Sequence, residues 1–197
     1  MNRAKQRGKR MADARKVVAG LFMSLDGVVE APDRWHFPYL NDEMAAAVGS
    51  MHTAADTLLL GRVTYESFAA VWPHQTGELA DQINSIHKLV VSTTLDRADW
   101  TNSTLIAGDV IGSLVELKRQ PGKNIHLTGS LTLTRMLLYA GFIDELRLLI
   151  HPIVLGTGER LFPEGTDRVP LELARSATFT TGVLDLTYQP ARPHSRR

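Results

Sequence analysis

Three short stretches combine glycine, hydroxyl and arginine side chains in a pattern suited to holding phosphate. Gly61-Arg62-Val63-Thr64 follows the apolar run Thr57 to Leu60. There a glycine lets the backbone approach a ligand closely, Thr64 adds a hydroxyl, and Arg62 supplies a planar charged fork. Ser92-Thr93-Thr94 closes a second run, Leu89 to Ser92, with hydroxyls that can bond a ribose or a phosphate without adding charge. Thr128-Gly129-Ser130-Leu131-Thr132 places a glycine and hydroxyls where a third run, Ile125 to Thr128, gives way to a helical pattern. Each has a plainer alternative: a structural arginine, a strand-end turn, a common glycine before a helix. As three successive strand-to-helix turns they point together to an extended, phosphate-bearing cofactor, because ligands of open α/β sheets sit at the carboxyl ends of strands, where helix N-terminal amides bind anions. Neither a G-x-G-x-x-G fingerprint nor a P-loop occurs.

The candidate proton donors near the first strand are Asp26, in Ser24-Leu25-Asp26-Gly27, and Glu43 at the start of the first helix. Asp26 could equally hold a turn through Gly27. Ser24, Asp26, Trp35 and Phe37 are the candidate substrate contacts, with Tyr39 beside them; the aromatic rings could wall a flat heterocycle or staple their own loop. Gly156, Thr157 and Gly158 either close over a cofactor, with Gly156 contacting it, or form a hairpin loop. The seven histidines show no paired ligand spacing, and there is no cysteine, so no metal is expected and thiolate zinc sites, disulfides and cysteine nucleophiles are excluded.

The elements that must position these residues alternate. Val17 to Met23 is β-branched and apolar, and Asp42 to His52 repeats Met44, Val48 and Met51 at helical spacing. Val63 to Val71 predicts a helix stopped by Pro73; Val110, Ile111, Leu114 and Leu117 line another, and Leu133, Met136, Leu137 and Ala140 a third. Strand and helix in alternation argue for a largely parallel sheet covered on both faces. From Glu145 to Val154 the chain turns β-rich, and Leu171 to Phe179 with Val183 to Tyr188 predict an antiparallel hairpin around Thr181 and Gly182.

With 197 residues, 44% hydrophobic and 22% charged, the chain has the size of one domain with a real core. Seven of its 22 Lys and Arg fall in residues 1–16, against Asp13, and three in residues 190–197 against no acid; residues 17–189 then hold 12 basic and 20 acidic side chains, a net of −8. An acidic body speaks against specific nucleic-acid binding, and the basic ends are expected to be disordered tails, 1–15 and 190–197, or weak phosphate binders. With no long apolar run and no signal-peptide core, a cytoplasmic protein with no membrane contact is expected.

The pieces FMSLDGVVE (Phe22 to Glu30), LLLGRVTYES (Leu58 to Ser67), KLVVSTTL (Lys88 to Leu95), IHLTGSLTLTRMLL (Ile125 to Leu138) and DELRLLIHPIVLGTGERLF (Asp144 to Phe162) resemble, in the same order, the dihydrofolate-reductase-like superfamily. Within it the chain is similar to the reductase domain of the bifunctional riboflavin-biosynthesis deaminase-reductase and its stand-alone relatives. The resemblance implies one three-layer αβα domain over 16–189, a mostly parallel central sheet with an antiparallel C-terminal hairpin, and a homodimer. It implies NADPH, with Gly61, Arg62, Thr64, Ser92 and Thr93 at the adenosine end and Gly129, Ser130, Leu131 and Thr132 at the pyrophosphate. The family usually has two adjacent glycines where this chain has Gly129-Ser130. Lacking cysteine, the chain cannot carry the zinc deaminase half. The implied activity is hydride transfer to a small heterocycle, as in 5-amino-6-(5-phosphoribosylamino)uracil reduction. A dihydrofolate or dihydropterin reductase is the alternative in the same class, and a non-catalytic NADPH-binding scaffold the alternative in another. In dihydrofolate reductases a pterin-binding carboxylate lies near the position of Glu43, but its spacing to Gly61 fits that enzyme poorly.

Overall fold

The structure is a computed structural model that describes residues 15–191. Of the tails expected over 1–15 and 190–197, residues 1–14 and 192–197 lie outside the described residues, while Pro190 ends β8 and the Ala191 amide bonds the Pro170 carbonyl at 3.0 Å. Eight strands form one sheet: β1 (Val17–Ser24), β2 (Ala55–Gly61), β3 (His87–Val91), β4 (Ser103–Ile106), β5 (Asn124–Thr128), β6 (Glu145–His151), β7 (Leu171–Thr178) and β8 (Leu184–Pro190). Their order is β4-β3-β2-β5-β1-β6-β8-β7. The first six pair in parallel, while β8 runs antiparallel to both β6 and β7. This is the expected mostly parallel sheet with an antiparallel C-terminal hairpin. The hairpin turns at Gly182, whose positive φ of 84° favours glycine.

Five helices cover the sheet: α1 (Asp42–Thr53), α2 (Arg62–Val71), α3 (Glu78–Ser85), α4 (Val110–Arg119) and α5 (Leu131–Tyr139). Strand alternation sorts them onto two faces. Leu59 and Leu89 pack with Leu114 of α4 and Leu133 and Leu137 of α5, whereas Leu58, Leu60 and Val90 pack with Tyr65 of α2 and Ile83 of α3. Met44, Ala47 and Met51 of α1 pack on Leu149. The adjacent strands β2 and β5 therefore send their following helices to opposite faces, which opens a crevice between their carboxyl ends. Two elements have no counterpart in the sequence expectations, the edge strand β4 and the helix α3. A boundary also moves. Arg15, assigned to the tail, is buried, with its guanidinium bonded to the Asp56 carboxylate, to Thr57 Oγ1 at 2.7 Å and to the Lys123 carbonyl at 2.9 Å.

The face under α1 carries a buried polar layer. Arg147 on β6 forks onto Asp185 of β8 at 2.7 and 2.6 Å and donates to the Ala47 carbonyl and the Ser50 hydroxyl, each at 3.1 Å. Beside it His52 and His126 meet edge to face with ring centroids 4.9 Å apart. Gly20 makes room for them, since a Cβ there would lie 2.8 Å from Met51 Sδ and 2.9 Å from His126 Nε2. Neither nitrogen of His126 finds a hydrogen-bond partner within the described residues.

Burial holds the proton affinity of His52 down to about 4 and that of His126 down to about 3. Unfolded histidines titrate near ~6.5, so below that pH the unfolded chain binds protons that the folded protein refuses. The stability these two neutral rings contribute is fully present above pH ~6.5 and drains as pH falls toward their folded values, by up to about 1.4 kcal/mol per pH unit for each. We expect the urea midpoint to fall between pH 7 and pH 5, and His126→Leu to flatten that fall; a midpoint indifferent to pH in both proteins would contradict the assignment.

Candidate active site at the carboxyl edge

The crevice between β2 and β5 is where two of the three phosphate-suited stretches meet. Gly61 ends β2 and Gly129 follows β5. The Gly61 amide donates to Ser130 Oγ at 2.6 Å, and Ser130 bonds the Thr64 hydroxyl through both its amide, at 2.8 Å, and its own hydroxyl, at 2.9 Å. Gly129 is needed for this approach: its φ is +57°, and a Cβ would sit 2.9 Å from Thr64. Ser130 is left-handed too, with φ of 50°. For a residue with a Cβ that conformation costs about 1 kcal/mol, which the hydroxyl's two bonds offset. Ser130 is thus a bridge across the crevice.

The helices that start on its two sides are open at their ends. Neither α2, whose N-cap is Gly61, nor α5, whose N-cap is Ser130, has a side-chain cap, while Asn41 and Asp109 cap α1 and α4. Their first amides are donors with no side-chain partner, the arrangement that favours an anion. Leu131 and Thr132 form the first turn of α5. Arg62 is half-exposed and pairs with Glu66 one turn along at 2.9 Å, a surface contact of little strength that a phosphate can displace.

The remaining stretch, Ser92-Thr93-Thr94, lies beside the Gly61 turn, since Gly61 pairs with Val91 in the β2–β3 ladder and Ser92 follows directly. Its residues differ in availability. Ser92 is buried and its hydroxyl accepts the amides of Thr94 and Leu95, both at 3.1 Å, whereas Thr93 is exposed. A cleft of about 600 Å³ lies between Arg135 of α5 and the 158–164 loop, and one of about 610 Å³ between α2 at Tyr65 and the segment Leu95 to Thr101; Gly61, Gly129 and Ser130 line neither.

The carboxylates and aromatic residues gather at the β1–β6 half of the edge. Asp26 accepts the Ser24 hydroxyl at 2.7 Å and the amides of Leu155 and Gly156 at 3.1 and 2.9 Å. These donors, Ser24 foremost, hold its carboxyl well below the usual range, so it stays ionised. Glu43 is held low likewise by the Thr180 hydroxyl and amide, at 2.6 and 2.7 Å. In the structure both expected proton donors accept hydrogen bonds, Asp26 tying the β1 end to the 152–160 loop and Glu43 tying α1 to the hairpin turn. Gly156 donates its amide to the first of these ties. Ser24 is buried, its hydroxyl also accepting the Val28 amide at 2.9 Å. Trp35 is buried with its indole N–H on the Glu30 carbonyl at 2.9 Å, so it staples its loop; Phe37 alone of the four substrate candidates keeps a largely exposed side chain, at 59%.

Two histidines missing from the sequence expectations sit here. His151 ends β6 beside Ser24 and is enclosed by Phe22, Trp35 and Tyr39, with ring centroids at 5.4, 5.1 and 5.6 Å. His36 stacks on Phe22 at 4.7 Å. Burial lowers the proton affinity of both, so they are neutral near pH 7. The loop after β1 folds back to bring His36 within 6.3 Å of His151, and their separation along the chain hides the pair.

The sequence profile of the RibD C-terminal domain matches residues 15–184. The uncharacterised protein YyaP of Bacillus subtilis is 29% identical over 190 residues, covering 88% of this chain and 94% of YyaP. Among solved structures, a candidate riboflavin biosynthesis protein from Shewanella sp. PV-4 superposes with a TM-score of 0.72 at 21% identity, over 90% of this chain and 99% of that one. Dihydrofolate reductase from Enterococcus faecalis, complexed with NADP(H), superposes with a TM-score of 0.61 at 16% identity, over 90% of this chain and 97% of that one.

The Ser130 bridge makes a prediction of opposite sign for two small substitutions. Ser130→Ala keeps the left-handed strain and loses the bonds, so it should cost about 1–2 kcal/mol in urea unfolding. Ser130→Gly relieves the strain and should stay within about 1 kcal/mol of the parent. Equal losses in the two variants would contradict the bridge.

Proposed function

The chain belongs to the RibD C-terminal domain family, and on that premise we propose that it is a cytoplasmic, NADPH-dependent reductase of a small nitrogen heterocycle. The family and its reductase neighbours support an oxidoreductase. The nucleotide and the substrate are our reading. The observation that carries it is the pair of uncapped helix starts facing one glycine-lined crevice. Their donor chemistry fits a pyrophosphate, and the NADP(H) in the Enterococcus faecalis neighbour supports that nucleotide.

In this reading Gly61, Gly129, Ser130, Leu131 and Thr132 bind the pyrophosphate through backbone amides and hydroxyls, while Arg62, Thr64, Ser92 and Thr93 hold the adenosine end. Arg62 leaves Glu66 to pair with the 2′-phosphate. NADPH held there would supply the hydride, and the protein's contribution would be to hold an electrophilic C=N or C=O against it while the nitrogen or oxygen takes its proton from water at the open edge. The ionised Asp26 keeps the 152–160 loop closed on the β1 end and so fixes the floor on which the two meet. Phe37, with its ring tilted on His36 at 4.2 Å, offers the flat wall for the heterocycle. The homodimer of this reading places a second copy on the hairpin, where β7 is largely exposed and Leu173 shows 54% of its surface beside Tyr188.

NADPH should raise the melting temperature of the protein more than NADH does, because only binding to the folded state stabilises it. Arg62→Ala should erase most of that difference. No shift with either nucleotide would end the proposal. Light scattering should give twice the chain mass and Leu173→Glu should halve it; a monomeric parent would remove the dimer.

A further inference from the structure

We propose that the substrate half of this edge takes a flat heterocycle that carries no phosphate group, an inference that rests on the reductase reading above. Residues 25–43 and 152–166, which form the rim around the ends of β1 and β6, hold seven carboxylates against two arginines. Neither arginine is placed like a phosphate ligand. Arg160 spends Nε on the Asp26 carbonyl at 3.0 Å, and its terminal nitrogen lies 3.6 Å from the Asp26 carboxylate. Arg34 is exposed, has no ion pair among the described residues, and follows Asp33 and Glu30 in the chain. Arg135, which reaches the same rim from α5, is also committed: its Nε donates to the Leu161 carbonyl at 3.1 Å, and it lies 3.8 Å from Glu159. His36 is kept neutral by burial.

A mouth of one sign repels a ligand of that sign, and the repulsion is strongest at low salt. Two negative charges on a substrate phosphate would meet a carboxylate excess here, with one free guanidinium to oppose it. The contrast with the crevice is sharp, since there Arg62 and two uncapped helix starts converge. Val17 begins β1 and Pro190 ends the antiparallel β8, so both strands have these ends at the amino edge of the sheet, opposite the site. What the rim does present is apolar and flat. The exposed Phe37 ring, His36 and Phe22 succeed one another with centroids 4.2 and 4.7 Å apart, a surface on which an uncharged aromatic ring can stack.

The test is calorimetric binding of an aminopyrimidine riboside and of its 5′-phosphate to the full-length protein, with and without saturating NADPH, at low and at high salt. At low salt the riboside should bind at least about tenfold more tightly than the phosphate, and the gap should shrink at high salt as the rim is screened. Asp33→Lys should narrow it as well. Equal or tighter binding of the phosphate, or no binding of the riboside, overturns the inference. Failure of NADPH itself to bind would instead remove the reductase reading, while the comparison on the free protein would still decide whether the rim rejects phosphate.

Discussion

The amide of Gly61 reaches across to the hydroxyl of Ser130, and most of what the site can do follows from the geometry that makes this bond possible. It requires β2 and β5 to be neighbours although 62 residues separate the end of one from the start of the other. It also requires their helices to leave on opposite faces, so that two helix starts confront each other over one gap. Glycine at 61 and 129 lets the two turns come within hydrogen-bonding distance, and Thr64 receives the second strand's turn. Ser130 accepts a strained backbone to complete the bridge. The first amides of α2 and α5 have no side-chain partner to give up to an entering anion, whereas the Gly61 amide must exchange the Ser130 hydroxyl for it.

Ionised carboxylates shape the other half of the edge. Asp26, Glu43 and Glu30 each accept backbone amides from segments more than a hundred residues away in sequence, at Leu155, Thr180 and Glu159 respectively. Such charge-assisted bonds fix the loops around the ends of β1 and β6. At Asp26 and Glu43 they also favour the charged form, and all three carboxylates position loops. The same economy appears beneath the sheet, where Asp185 is buried but fully satisfied by Arg147 and Arg175. There the pair fixes how α1, β6 and β8 sit together; losing one partner would strand the other's charge in the core.

Much of this was written in local sequence. The alternation of β and α signals, the glycine-hydroxyl turns and the switch to an antiparallel ending at Gly182 are short-range features, and they identify both the fold and the three strand-end stretches. What stayed hidden depends on distance or weakness. β4 is four residues of half-exposed edge strand, and α3 has only Ala80 and Ile83 buried, so neither carries a strong periodic signal. Arg15 looks like part of a basic tail until Asp56 folds against it. The pairs His52–His126 and His36–His151 each join a strand residue to one from α1 or from the loop after β1, and the bonds from the 152–160 loop to Asp26 span more than a hundred residues. Sequence located the edge; only the fold shows which of its side chains are already spoken for.

The central claim, that the β2–β5 crevice is built to receive the phosphates of NADPH, is tested most directly by following backbone amide resonances during an NADPH titration of the isotope-labelled protein. The account predicts the largest shifts at Gly61, Arg62, Gly129, Ser130 and Leu131, with the Gly61 amide leaving the Ser130 hydroxyl. Saturable binding that leaves those five amides unmoved and perturbs another part of the fold would contradict it.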